Sequence, residues 1–216
     1  VHVIPKLETV TGLELFQAVD LFDATQNLDV FTTLSGALKT LAVNLSKMSN
    51  DLRLLSSGPR SGLSEINLPA RQAGSSIMPG KVNPVIPEVV NQVAFEVIGN
   101  DATITAAVEA GQLELNAFEP VLFYRMFASI THLTSAMKTF REHAIAGITH
   151  NEERLAKDID LSASFATAMA NMVGYKQAAE LAKESLKTNR PLRECAIASG
   201  IFTSNWLTSL QLKKLS

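Results

Sequence analysis

Phe31, Leu34, Leu38, Leu41, Leu45, Met48, Leu52 and Leu55 follow one another at intervals of 3, 4, 3, 4, 3, 4 and 3 residues. Such intervals straddle the 3.6-residue turn, so they keep one apolar seam along a helix that packs lengthwise against other long helices. The pattern predicts a helix over about residues 29 to 57, stopped by Gly58-Pro59. Residues 58 to 83, rich in Gly, Pro and Ser, read as the connecting loop. A second helix is expected from Pro84, where Ile86, Val89, Val90, Val93, Val97 and Ile98 keep a helical period. Their β-branched side chains would also suit a buried strand, but the length of the run and its Asn-Pro start favour helix. Gly99-Asn100-Asp101 is a place for that helix to bend without ending. A third apolar line, Leu122, Met126, Ile130, Leu133, Met137, Phe140 and Ala144, predicts a helix from Pro120 to about Ala146.

After Gly147 the pattern changes to shorter amphipathic pieces, Leu161 to Val173, Lys176 to Lys187 and a few turns from Pro191. These suggest a separate small helical domain. Strand-turn-strand signals, internal repeats and low-complexity segments do not appear, so the expected fold class is all-α: a long-helix bundle over residues 1–147 and a small helical domain over 148–216. Three helices of this length, apolar on several faces, leave hydrophobic surface uncovered. Either oligomerisation or a preceding part of a longer chain would cover it, and the two are compatible.

Composition narrows the function classes. The chain is 46% hydrophobic and 19% charged with net charge -2, which describes a globular protein with ample core material. Its cations are scattered, so electrostatics supports neither a nucleic-acid partner nor a membrane surface. The lone Cys195 cannot form an internal disulfide; it reads as a buried, inert thiol, and a cytoplasmic location is expected. No apolar run approaches the length of a membrane span, and the first residues lack a signal-peptide pattern.

The candidate chemistry is concentrated in Gly74-Ser75-Ser76-Ile77-Met78-Pro79-Gly80-Lys81-Val82-Asn83-Pro84. Gly74 and Gly80 permit unusual backbone angles while Pro79 and Pro84 restrict the chain. Pro84 suits the first position of a helix, which would make Asn83 the N-cap. A helix N-terminus carries about half a positive charge, and Lys81 adds a full one beside it, so a dianionic ligand has a place to dock. A phosphate-binding P-loop does not fit, because five residues separate the glycines and Val82, not a hydroxyl residue, follows Lys81.

The same residues match the G-S-S-x-x-M-P-x-K-x-N signature, and the chain resembles the aspartase/fumarase superfamily. The likeness extends to Asn44-Leu45-Ser46-Lys47, Asn50-Asp51-Leu52-Arg53, Ser57-Gly58-Pro59-Arg60, Glu65-Ile66-Asn67-Leu68-Pro69, Gly99-Asn100-Asp101 and Glu109 to Asn116. It corresponds to the C-terminal half of a family member: the end of the central helical domain, truncated at its amino end, and the small terminal domain. The run Val85 to Val93 resembles the aspartate ammonia-lyase branch, whereas class II fumarases carry a Thr-Gln-Cys-Glu-Ala-like run there.

The resemblance implies reversible elimination of ammonia from L-aspartate to give fumarate, without an organic cofactor. Divalent-metal activation is left open. By the same resemblance Ser75 is the catalytic base; Ser76, Lys81, Val82 through its backbone, and Asn83 bind substrate; and Glu88 supports the site by pairing with a histidine from the family's N-terminal half. A neutral hydroxyl is a poor base, so Ser75 would need activation by water exclusion and backbone amides. Without the resemblance, Lys81 is a surface lysine, Asn83 a plain cap and Glu88 a first-turn glutamate favoured by the dipole. No His/Cys/Asp/Glu cluster has the spacing of a zinc site, so no metal ligand is expected, and His2, His132, His143 and His150 read as core or surface residues. The family's homotetramer, with active sites shared between subunits, agrees with the heptad seam and adds a small dicarboxylate as the substrate partner. Fumarase, another superfamily lyase, or a helical fragment without activity remain the alternatives.

Overall fold

Two short helices lead into the bundle. In the computed structural model, which describes residues 2–72, 78, 81–162 and 164–201, α1 spans Val3–Thr11 and α2 Leu21–Gln26. Asp20 caps α2 by accepting from the amides of Phe22 and Asp23. Three long helices follow: α3 (Asp29–Leu55), α4 (Val85–Glu109) and α5 (Glu119–His143). Each lies within a few residues of its predicted span, and α4 runs unbroken through Gly99-Asn100-Asp101. The architecture is helical, as expected.

Chain contacts divide the protein into two compact units, one formed by residues 1–55 and 68–148, the other by 56–67 and 149–216. In the first, Ala42 and Leu45 of α3, Val90, Ala94 and Val97 of α4, and Leu133, Ala136 and Phe140 of α5 form one apolar cluster. A second comprises Leu28, Ile104, Ala107, Leu122 and Met126, with Phe31 and Phe123 meeting edge to face at 5.1 Å between centroids. Between them on α4 lies a polar layer. Asp101 accepts from Ser35 Oγ at 2.8 Å and Lys39 Nζ at 2.5 Å on α3, while the neighbouring Asn100 donates to Ser129 Oγ at 3.1 Å on α5. Two consecutive residues thus tie one helix to both of its neighbours. Burial pushes the Asp101 carboxyl upward, but the hydrogen bonds from Lys39 and Ser35 and the Lys39 charge outweigh it and hold the group below its ordinary value.

The buried stripes differ from the predicted seams by one residue in places. On α3, Ser35 and Ser49 are buried whereas the adjacent Leu34 and Met48 are exposed; on α5, Ser129 and Ala136 are buried in place of Ile130 and Met137. Small side chains take these buried positions and the large residues flank them, as expected where helices pack closely and a large side chain would hold the backbones apart. The helices end by defined devices. Buried Asn116 donates to the carbonyls of Ala107 and Val108 at the end of α4 and accepts from the Phe118 amide, so it closes the helix end.

In the second unit, α6 (Glu152–Leu161), α7 (Ser164–Val173), α8 (Tyr175–Thr188) and α9 (Leu192–Ala198) follow an antiparallel pairing of β1 (Ile66–Asn67) with β2 (Thr149–His150). The core is Met169, Ala178, Leu181, Leu192, Ala196 and Cys195, the last buried as predicted. Two features of this unit escaped the sequence reading, as did α1 and α2 in the first. The strands have two residues each, too few to show an alternation. The expected piece from Leu161 to Val173 is in fact the end of α6 and the whole of α7. Helix α6 has 10 residues and is held by polar devices, the Asn151 cap, Glu152 and Glu153 in its first turn and the Arg154–Asp158 pair, with few apolar residues to mark it. Among the described residues no helix is long and apolar enough to cross a membrane.

Candidate functional site

Pro84 determines how α4 begins. Its φ of -79° and ψ of 59° make it the centre of an inverse γ-turn, in which the Val85 amide donates to the Asn83 carbonyl at 2.9 Å. The helix therefore starts at Val85 with Pro84, not Asn83, at the N-cap position. The expected N-cap role of Asn83 is overturned: its backbone carbonyl closes the turn, and its side chain has no hydrogen bond among the described residues. That leaves the Asn83 carboxamide available to a ligand.

Donors at this helix end are few. Pro84 and Pro87 carry no N–H, Val85 is bound to Asn83, and the Glu88 amide donates to the Pro84 carbonyl at 3.2 Å. Ile86 is thus the first-turn amide left without a backbone acceptor among the described residues. The first turn itself offers few free amides, so the attraction for an anion rests on the helix dipole, on Lys81 and on the Val82 and Asn83 amides, which have no acceptor among the described residues. Lys81 is exposed, its amide donating to the Met78 carbonyl at 3.2 Å, and Val82 is exposed beside it. Ser75 and Ser76 lie outside the described residues.

Half-buried Glu88 has a carboxylate without a hydrogen-bond or ion-pair partner among the described residues. One turn further on, buried Asn91 anchors this end of α4 to α3. Its Nδ2 donates to Ser46 Oγ at 2.8 Å, the Ser46 carbonyl at 3.2 Å and Asn50 Oδ1 at 3.1 Å, and its Oδ1 accepts from Arg53 Nη1 at 3.4 Å. The sequence reading used Asn44 to Arg53 only as a likeness and missed this network. The available signal was an amide in the apolar line of α4, since a buried carboxamide requires partners. Among the described residues no group of three or more His, Cys, Asp or Glu could hold a metal ion. His132 pairs with Glu96 at 2.9 Å and His150 with Glu152 at 3.4 Å, both at the surface.

A family model described as a lyase matches residues 1–99, and one described as the fumarase C C-terminus matches residues 165–214. An aspartate ammonia-lyase of Bacillus sp is 53% identical over 204 residues, 94% of this chain and 44% of that protein. The chain belongs to the aspartase/fumarase superfamily. It spans less than half the length of these curated relatives and matches their C-terminal half. The aspartate ammonia-lyase of Bacillus subtilis is 47% identical over 95% of this chain and 43% of that protein. Two solved superfamily structures agree with the fold. A fumarate lyase:delta crystallin from Brucella melitensis bound to cobalt has a TM-score of 0.89 at 51% identity, covering 95% of this chain and 44% of that one. A class II fumarase from Schistosoma mansoni has a TM-score of 0.80 at 35% identity, covering 91% and 41%.

Proposed function

We propose that the whole protein is an aspartate ammonia-lyase that converts L-aspartate reversibly to fumarate and ammonia. The observation that carries this reading is the identity of 53% to a protein of that name over nearly the whole chain, against 35% to the class II fumarase. The Val85 to Val93 run at the start of α4 supports the same branch. In this reading Ser75 takes the proton from the carbon beside one carboxylate, the electron pair forms the C=C bond, and the C–N bond breaks to release ammonia. Negative charge accumulates on that carboxylate as the proton leaves, and the stabilising groups must already be in place. Lys81, the Asn83 carboxamide, the Val82 backbone and Ser76 bind the substrate, with the dipole of α4 behind them. Glu88, which has no partner among the described residues, holds a histidine supplied by the rest of the protein.

The active form is a homotetramer, cytoplasmic and without an organic cofactor, in which subunits share their sites. The experiment is steady-state turnover of the full-length protein on L-aspartate, followed by fumarate absorbance, for the wild type and Ser75→Ala. A base contributes about a hundred- to ten-thousandfold, so kcat should fall by at least two orders of magnitude while the tetramer persists. Retention of more than about a tenth of kcat would remove Ser75 from that role. Turnover of L-malate without deamination of aspartate would move the reading to fumarase.

A further inference from the structure

Ser75 follows Arg71 by four residues, and the segment just before it is fastened to the end of α5. Arg71 Nε donates to the His143 carbonyl at 3.1 Å and Nη2 to the Glu142 carbonyl at 3.4 Å. These are terminal carbonyls of α5, at the negative end of its dipole, where a planar guanidinium can reach two acceptors at once. Pro69 makes the second contact. A Cβ built on Gly147, in the 3-10 turn that follows α5 (Ile145–Gly147), would stand 2.5 Å from Pro69 Cγ, so the ring lies where any other residue's side chain would begin. Gly147 is needed for this approach and not for its backbone angles.

We propose that Arg71 and Gly147 are positioning residues that fix the point from which the signature segment departs and thereby set the approach of its serine to the substrate. The proposal rests on the reading of Ser75 as the base. Proton abstraction requires the base within hydrogen-bond reach of the acidic carbon, and a displacement of about 1 Å can cost up to a hundredfold in rate. Lys81 and Asn83 lie on the other side of the segment, next to α4, and do not depend on this anchor. Loosening the anchor therefore lowers kcat more than it raises KM. Arg71 is exposed, so its loss has little effect on global stability.

The test compares full-length wild type, Arg71→Ala, Arg71→Lys, Gly147→Ala and the double variant Arg71→Ala with Gly147→Ala. Each is measured for kcat and KM on L-aspartate, thermal midpoint, and amide exchange over residues 72–80. Each alanine variant should lose about tenfold in kcat with KM changed by less than about threefold. Arg71→Lys, which can reach one carbonyl at a time, should recover part of the loss. Both single changes release the same arm, so the double variant should lose less than the product of the two. Exchange over 72–80 should quicken in both single variants while the thermal midpoint stays within a few degrees. Unchanged exchange in both overturns the proposal whether or not aspartate is turned over. Given an active wild type, kcat within about twofold in both single variants, or loss in proportion to a falling midpoint, also overturns it. An inactive wild type with quickened exchange in the variants refutes the activity reading and leaves the anchor standing.

Discussion

Lys81 is where charge decides between a surface residue and a substrate ligand. Its ammonium is exposed and lacks a partner among the described residues, two residues from an Asn83 carboxamide that does not cap the helix. In the site proposed above, Pro84, Pro87 and the Asn83–Val85 turn remove most first-turn donors, so more of an anion's stabilisation falls to the lysine and to the Val82 and Asn83 amides than at a well-furnished helix end. Charge-assisted contacts of this kind are worth about 1.5 to 3 kcal/mol. In the full-length protein Lys81→Ala should therefore lower kcat/KM for L-aspartate by about ten- to a hundredfold, mostly through KM. Unchanged kinetic constants would make Lys81 a solvated surface residue. The signature was legible in the sequence because its order of residues is long and specific. The details of capping were not, because Asn83-Pro84 suits both an N-capped helix and an inverse γ-turn, and only the backbone angles distinguish them.

At the scale of the helix, the polar layer at Asn100 and Asp101 sets how α3, α4 and α5 meet. A slide along the seam would break three side-chain contacts together, those from Ser35 and Lys39 to Asp101 and that from Asn100 to Ser129. Apolar contacts alone tolerate sliding better, as they are not directional. Asp101→Asn keeps the shape but removes the charge opposite Lys39, and a loss of about 1 to 3 kcal/mol is expected, moderated by the partial exposure of the lysine. The pH dependence has a definite sign. Folding lowers the Asp101 pKa, so its contribution is complete above the ordinary carboxylate value of about 4 and is lost as pH falls through the lower folded value. Thermal midpoints of wild type and variant should accordingly differ most near neutrality and converge below about pH 4. A constant gap across that range would assign the effect to packing. The positions of the three long helices were legible from apolar period, since that period measures the core-facing arc, whereas the short α1, α2 and α6 were not. Which residues of the arc are buried was not legible either: Ser35, Ser49, Ser129 and Ala136 carry little hydrophobic signal yet are buried, as close helix packing, which favours small volume, would explain.

For the whole molecule, the large apolar residues outside the core decide what these 216 residues do when isolated. Val30, Leu34, Val43 and Met48 on α3, Phe95 and Ile98 on α4, and Phe127 and Ile130 on α5 are all exposed. Single exposed hydrophobics are ordinary, but clusters recurring along three helices of 25 to 27 residues form surface that water does not favour. The relatives are more than twice as long as the matched region, so much of what surrounds this bundle in them lies outside the present chain. Expressed alone, the chain should be strongly helical by circular dichroism and should associate, giving a light-scattering mass well above the monomer's 23.3 kDa. It should not deaminate aspartate, because in the function proposed above Lys81, Asn83 and the signature serines supply contacts for one end of the substrate only, and rate acceleration depends on holding both. Mixing it with a full-length parent that carries Ser75→Ala should restore fumarate formation if sites are assembled from different subunits. A monodisperse, soluble monomer would refute the argument from exposed surface. Aspartate turnover by such a monomer would, in addition, remove any need for shared sites.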